Sequence, residues 1–118
     1  MYRVPPSVTT NGRKASKYKG LEAFFMREKH IEQKFRKTVA AAGGLALKFV
    51  SPGFDGMPDR LALFPDGKCG FVEVKAPGEK LRPLQESRIA MLRKMGFQAF
   101  VLDGTEQIGG IIDEIRGT

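Results

Sequence analysis

Two β-type runs, 59–64 and 69–75, are separated by the turn signal Pro65-Asp66-Gly67, and so short a link makes them neighbouring antiparallel strands. Residues that open the first strand then meet residues that close the second. Here those are Asp59, which follows Gly56-Met57-Pro58, and the triplet Glu73-Val74-Lys75. Glu73 and Lys75 lie two apart on a strand and share a face with Phe71, while Val72 and Val74 take the other face. Two carboxylates and an amine are thereby expected at one end of a sheet. Carboxylate oxygens of this kind suit a divalent cation, and an amine beside them suits charge on a phosphate. Taken singly, each piece has an ordinary explanation: Glu-Val-Lys as the solvent side of a strand, Asp59 as a turn residue after proline.

The remaining elements fall around this hairpin. From about Leu21 to Ala42, Phe24, Ile31, Phe35, Val39 and Ala42 recur at helical spacing, and Gly43-Gly44 supplies a stop. Glu28 and Glu32 both fall within or beside that apolar arc, where an acid needs a reason to be. Leu45 to Val50 alternates as a strand, and Ser51 to Gly56 reads as a loop. Pro83 opens a helix that runs to about Met95, with Gln85 on its apolar arc, where a buried amide requires a hydrogen-bond partner. Phe97 to Leu102 reads as a fourth strand. Thr105 is a candidate cap for a last helix carrying Ile108, Ile111, Ile112 and Ile115, and Gly109-Gly110 weakens that helix by about 1 kcal/mol each relative to Ala. The order αβββαβα indicates an α/β structure built around a mixed sheet.

A chain of 118 residues is one domain by size. Residues 1–20 contain Pro5, Pro6, Arg3, Arg13, Lys14, Lys17 and Lys19 with no acid, and read as a flexible basic arm ahead of a domain spanning 21–118. The net charge of +7 favours a polyanionic partner, nucleic acid above all, although a solubilising surface explains it equally well. With one cysteine, Cys69, and one histidine, His30, neither an internal disulfide nor a Cys/His zinc cluster can be assembled. Cys69 is expected to be a small buried hydrophobe, and His30 an exposed helix residue. The sequence shows neither a membrane span nor the apolar core of a signal peptide, so a cytoplasmic location is expected, that of the host cell if the chain is of phage origin.

Taken together, Ile31-Glu32, Gly43-Gly44, Lys48 to Gly53, Gly56-Met-Pro-Asp-Arg60, Phe71 to Gly78, Arg82-Pro-Leu-Gln85 and Leu92 to Gly96 closely resemble the virus-type replication-repair nuclease (VRR-NUC) domain, particularly the stand-alone phage-type members, within the PD-(D/E)xK nuclease superfamily. The resemblance runs from about Lys29 to Asp103 and implies a restriction-endonuclease-like core. Carried over by position, it implies Glu32, Asp59 and Glu73 as acidic metal ligands, helped by the backbone carbonyl of Val74. Lys75 becomes the catalytic lysine, and Gln85 a supporting residue from the second helix. The spacing to the glycines selects Glu32 and leaves Glu28 as runner-up.

The resemblance further implies Mg²⁺ or Mn²⁺ as cofactor and hydrolysis of DNA phosphodiesters. The expected substrate is branched DNA such as four-way junctions or flaps, and the expected assembly is a homodimer. Candidate phosphate contacts are Arg13, Lys14, Lys17, Lys19, Lys48, Arg60, Lys80, Arg82 and Arg88. Two other readings compete: a non-catalytic DNA-binding module on a nuclease-like fold, and a sequence-specific restriction-type endonuclease. Three carboxylates facing phosphate argue against the first, and the small amount of chain beyond the core argues against the second.

Overall fold

A computed structural model of the chain describes the backbone of residues 12–117 and the side chains of residues 20–117. Helix α1 (Gly12–Ala41) leads into strands β1 (Leu45–Lys48), β2 (Arg60–Phe64) and β3 (Lys68–Val74). Helix α2 (Pro83–Lys94), strand β4 (Ala99–Leu102) and helix α3 (Ile108–Gly117) follow, which is the expected αβββαβα order. The sheet runs β1-β2-β3-β4, with the first three strands antiparallel and β4 parallel to β3.

Helix α1 begins at Gly12 and not at Leu21, so nine residues assigned to the arm are helical. Apolar periodicity reveals a helix only where apolar residues recur, and the sequence of residues 12–20 has no apolar stripe. The rest of the expected arm, Arg3 included, lies outside the described residues, as do the side chains of Arg13, Lys14, Lys17 and Lys19. At the other end Gly43 adopts φ +84°. The Gly44 N–H donates to Val39 O at 2.9 Å and the Gly43 N–H to Ala40 O at 3.0 Å, the paired bonds of a Schellman stop.

Ile31, Phe35 and Val39, spaced by four on α1, are buried against Ala62, Phe64, Val72, Val74 and the four isoleucines of α3. This is the main core, on one face of the sheet. The glycines of α3 are exposed, and its four buried isoleucines dock it. Thr105 does not cap that helix. It opens a short 3₁₀ turn, Thr105–Gln107, with no side-chain cap. The local tie is made instead by Gln107, whose amide accepts from the Asp103 N–H at 2.9 Å and donates to Asp103 Oδ1 at 2.7 Å.

On the opposite face α2 supplies Ile89 and Leu92 over Ala99, with Phe71, Met57 and Val101 packed alongside. The register places residues of this face in rows across the strands. Leu45, Leu63 and Cys69 form one row; Leu47, Leu61, Phe71 and Ala99 form the next. The row after that carries Glu73 and Val101, and extending the β2–β3 register by one residue sets Asp59 beside Glu73. The acids therefore sit one row beyond the leucines, at the end of the same face. Leu45 and Leu47 are 59% and 44% exposed, Cys69 is half-buried, and among the described residues no helix packs on the β1–β2 half of this face. No helix among the described residues is long and apolar enough to cross a membrane.

Candidate active site

Asp59 stands immediately before β2, its carbonyl still in the ladder through the Phe49 N–H at 2.8 Å. Its Oδ1 accepts the Val74 N–H from β3 at 3.1 Å, so the hairpin itself orients the carboxylate. Burial raises the Asp59 pKa, the Val74 N–H opposes that rise, and the neighbouring Glu32 adds to it. Glu73 is almost fully buried, and burial, with the charge of Asp59 next, pushes its pKa up to about 7 against the pull of Lys75. Two carboxylates that resist ionisation side by side form a site short of positive charge.

Gln85 and Lys75 complete the arrangement. The Gln85 side-chain oxygen accepts the Arg82 N–H at 2.9 Å, closing the first turn of α2, which turns the amide nitrogen toward Glu73 Oε2 at 3.1 Å. The polar residue on the apolar arc thus has its partner, and the partner is an acid of the site. Lys75 is 6% exposed, with Nζ 3.7 Å from Glu73 Oε2 and 3.5 Å from Glu79 Oε2. Glu79 also accepts the Ala76 N–H at 2.9 Å, which pins the loop after β3. Sequence reasoning did not single out Glu79; its only signal is its position four residues after the lysine.

The structure separates the two acids of α1. Glu32 forms an ion pair with Arg60, Oε2 to Nη2 at 3.0 Å, and Arg60 is itself buried with an Nε that has no hydrogen-bond partner. Glu28 faces the cluster instead. Burial first, then the charge and hydrogen bond of Glu79, then Asp59, raise its pKa to about 7, with Lys75 acting in the opposite direction. A cleft of about 600 Å³ opens here, lined by Glu28, Glu32, Lys48, Asp59 and Arg60, with Lys29 and Arg36 along α1.

Of the expected phosphate contacts, Lys48, Lys80 and Arg82 are exposed. Arg60 is committed to Glu32. Arg88 is committed to the Asp55 carbonyl, through Nε at 2.8 Å, and to the Phe54 ring. His30 is exposed, as expected.

Among the described residues no group of three or more His, Cys, Asp or Glu side chains is gathered so as to hold a metal ion. The donor chemistry still fits a hard divalent cation. Half-buried Asp59 and buried Glu73 offer carboxylate oxygens whose mutual repulsion a cation would relieve, and Mg²⁺ characteristically binds through one or two carboxylates while the substrate phosphate and water supply the rest.

An α/β sheet with two carboxylates and a lysine gathered at one end, beside a cleft lined by acids and bases alike, is the arrangement of a nuclease. The chain belongs to the VRR-NUC family: the model of the VRR-NUC domain matches residues 10–106. It is 49% identical over 81 residues to the candidate nuclease p44 of Acyrthosiphon pisum secondary endosymbiont phage 1, covering 69% of this chain and 87% of that protein. A solved structure described as a VRR_NUC domain superposes with a TM-score of 0.69 at 31% identity, covering 74% of this chain and 95% of the other. That agreement bears out the expected family and the mixed α/β core.

Proposed function

We propose that this protein is a divalent-metal-dependent DNA nuclease that cuts phosphodiester bonds in branched DNA. The observation that carries the reading is the convergence of Asp59, Glu73 and Lys75 at one sheet end, with Gln85 holding Glu73. Asp59 and Glu73 would hold Mg²⁺ or Mn²⁺, helped by the backbone carbonyl of Val74, the residue after Glu73. When bound, the cation supplies Lewis-acid stabilisation of phosphate charge and a more acidic water. We assign Glu28, rather than Glu32, as the acid contributed by α1, because Arg60 already neutralises Glu32.

Lys75 places a positive donor beside the scissile phosphate, and Glu79 and Glu73 keep its stem in line. Gln85 fixes the rotamer of Glu73, so that one carboxylate oxygen is occupied and the other stays available. Lys48, with Lys29 and Arg36 along the cleft, offers charge to the DNA backbone without reading sequence.

The test is a panel of linear, flap, fork and four-way-junction DNA assayed with and without Mg²⁺ and Mn²⁺. Cutting confined to branched substrates and dependent on the metal is the expected result. Salt-sensitive DNA binding without divalent-metal binding would make the protein a binding module. Discrete cleavage at one sequence of linear duplex would make it a restriction-type enzyme.

Paired cuts on a symmetric junction need two copies of a single-centre domain, related by a two-fold axis. The uncovered leucine face suits such a partner: it is apolar on a chain of net charge +7, so DNA is a poor cover for it. In analytical ultracentrifugation the wild type is expected to sediment as a dimer, and the double variant Leu45→Glu/Leu47→Glu as a folded monomer that nicks junctions on one strand only. A wild type that stays monomeric at tens of micromolar would end this assignment.

A further inference from the structure

Two unlike surfaces connect to the acids of the site. The cleft beside Asp59 carries Lys29 and Arg36 from α1 and Lys48 from β1, groups suited to phosphates, among the acids Glu22, Glu28 and Glu32. The second surface is the loop between β1 and β2, docked against α2. Phe54 in this loop is 42% exposed, yet its ring is not free to move. The Arg88 guanidinium carbon lies 3.7 Å from its centroid, and Arg88 Nε donates to the next residue's carbonyl, Asp55 O, at 2.8 Å.

The loop is pinned at further points. Gly56, at φ +89°, lies so close to α2 that a Cβ would fall 2.7 Å from Leu84 Cγ. The Phe54 N–H donates to Ser51 O at 3.2 Å, and the Phe49 N–H to Asp59 O closes the loop's ends. With these ties the loop does not need an aromatic anchor, and an anchor would be buried. Val50 and Leu84, 67% and 44% exposed, add further apolar surface on the loop and on the helix it docks against.

This surface is tied to the acids of the site through α2 and through the loop itself. Arg88 follows Gln85 by one helical turn, and neighbours at that spacing are about 5–6 Å apart. Gln85 in turn hydrogen-bonds Glu73. Phe54 precedes Asp59 by five residues of the same tethered loop.

We propose that Phe54, backed by Arg88, is a stacking subsite for an unpaired nucleobase next to the scissile phosphate. The proposal rests on the nuclease reading and sharpens its substrate. A strand with its backbone on Lys29, Arg36 and Lys48 and a base on the Phe54 ledge matches the two requirements of single-strand recognition, cations for the phosphates and an aromatic platform for the base. Arg88 strengthens the platform by fixing one face of the ring and leaving the rest to the base. The favoured DNA then has an unpaired or splayed nucleotide at the cut, as at a flap or fork, and continuous duplex is disfavoured.

The experiment uses a duplex with a single-stranded tail and a blunt duplex, with 2-aminopurine placed in turn at each position nearest the junction. Fluorescence and anisotropy are read with Ca²⁺ in place of Mg²⁺. Wild type should quench the probe in the tail. Phe54→Leu keeps an apolar side chain but lacks a ring, and should abolish the quench and weaken binding of tailed DNA roughly tenfold, with blunt-duplex binding unchanged. Phe54→Tyr should behave as wild type. Equal loss on both DNAs would reduce Phe54 to a loop residue, and no loss on tailed DNA would overturn the subsite. If wild-type protein cuts no DNA with Mg²⁺ or Mn²⁺ while the quench still depends on Phe54, the nuclease reading fails and the subsite stands.

Discussion

Glu73→Gln should abolish metal-dependent cleavage, by at least about a hundredfold, and at the same time raise the thermal stability of the metal-free protein at pH 8. The two effects share one cause. Glu73 is 6% exposed, and its pKa is raised from the ordinary carboxylate value of 4.5 to about 7 by burial and by Asp59. A carboxyl whose folded pKa lies above its unfolded one binds a proton in the native state that the unfolded chain has released. Folding is then most favourable below the window, weakens as pH rises from about 4.5 toward 7, and carries the whole penalty above it.

Replacing the carboxylate by an amide of the same shape removes a penalty of the order of 1–3 kcal/mol at pH 8, worth roughly 5 °C or more in a domain of this size. The acceptor for Gln85 is retained. Differential scanning calorimetry in EDTA at pH 5.5 and pH 8 checks the claim. Wild type should lose more stability between the two than Glu73→Gln does, and Mg²⁺ at pH 8 should restore part of the difference in wild type only. A variant less stable than wild type at pH 8 would mean that the Lys75 pairing outweighs the burial of charge. Asp59→Asn and Lys75→Met are expected to lose cleavage as well. Removing the lysine also takes away the cation paired with Glu73 and Glu79, so that variant should be destabilised, opposite in sign to Glu73→Gln.

The parts of this site legible in the sequence are those fixed by local geometry. A three-residue turn and a period of two suffice to bring Asp59 to Glu73 and to point Glu73 and Lys75 one way. Gln85 was visible as a polar residue on an apolar arc. Glu79 was not, because its approach to Lys75 depends on how the chain turns at Pro77-Gly78. Helix α1 was legible only where apolar residues recur at helical spacing, and its first nine residues carry no such pattern in the sequence.

The choice between Glu28 and Glu32 was open to inspection in principle. Arg60 shares the inward face of β2 with Ala62 and Phe64, and an inward arginine demands an acid. That acid is Glu32, a three-dimensional pairing that spacing to Gly43-Gly44 does not reveal. The Thr105 cap failed for a similar reason: Gln107 reaches back to Asp103 and takes over the tie that a cap would have made.

This division of labour on α1 yields the second large effect. Glu28→Gln should lower cleavage about a hundredfold or more with no loss of stability, since it removes a carboxylate whose pKa burial, Glu79 and Asp59 already hold near 7. Glu32→Gln should do the reverse. It leaves Arg60, whose side chain is 9% exposed, without its anion, and a buried guanidinium without a partner costs about 3–5 kcal/mol. Glu32 is 31% exposed on its side chain, so solvent screening brings the expected loss down to about 1–3 kcal/mol.

Activity of Glu32→Gln should follow the folded fraction, and the double variant Glu32→Gln/Arg60→Met should regain much of the stability, because an apolar stem in that pocket needs no counter-ion. Thermal melts paired with cleavage assays well below the melting temperature separate the two roles. A fully folded Glu32→Gln that cannot cut, beside a Glu28→Gln that can, would return the metal-facing role to Glu32. It would also mean that the Arg60 pair opens when the cation binds.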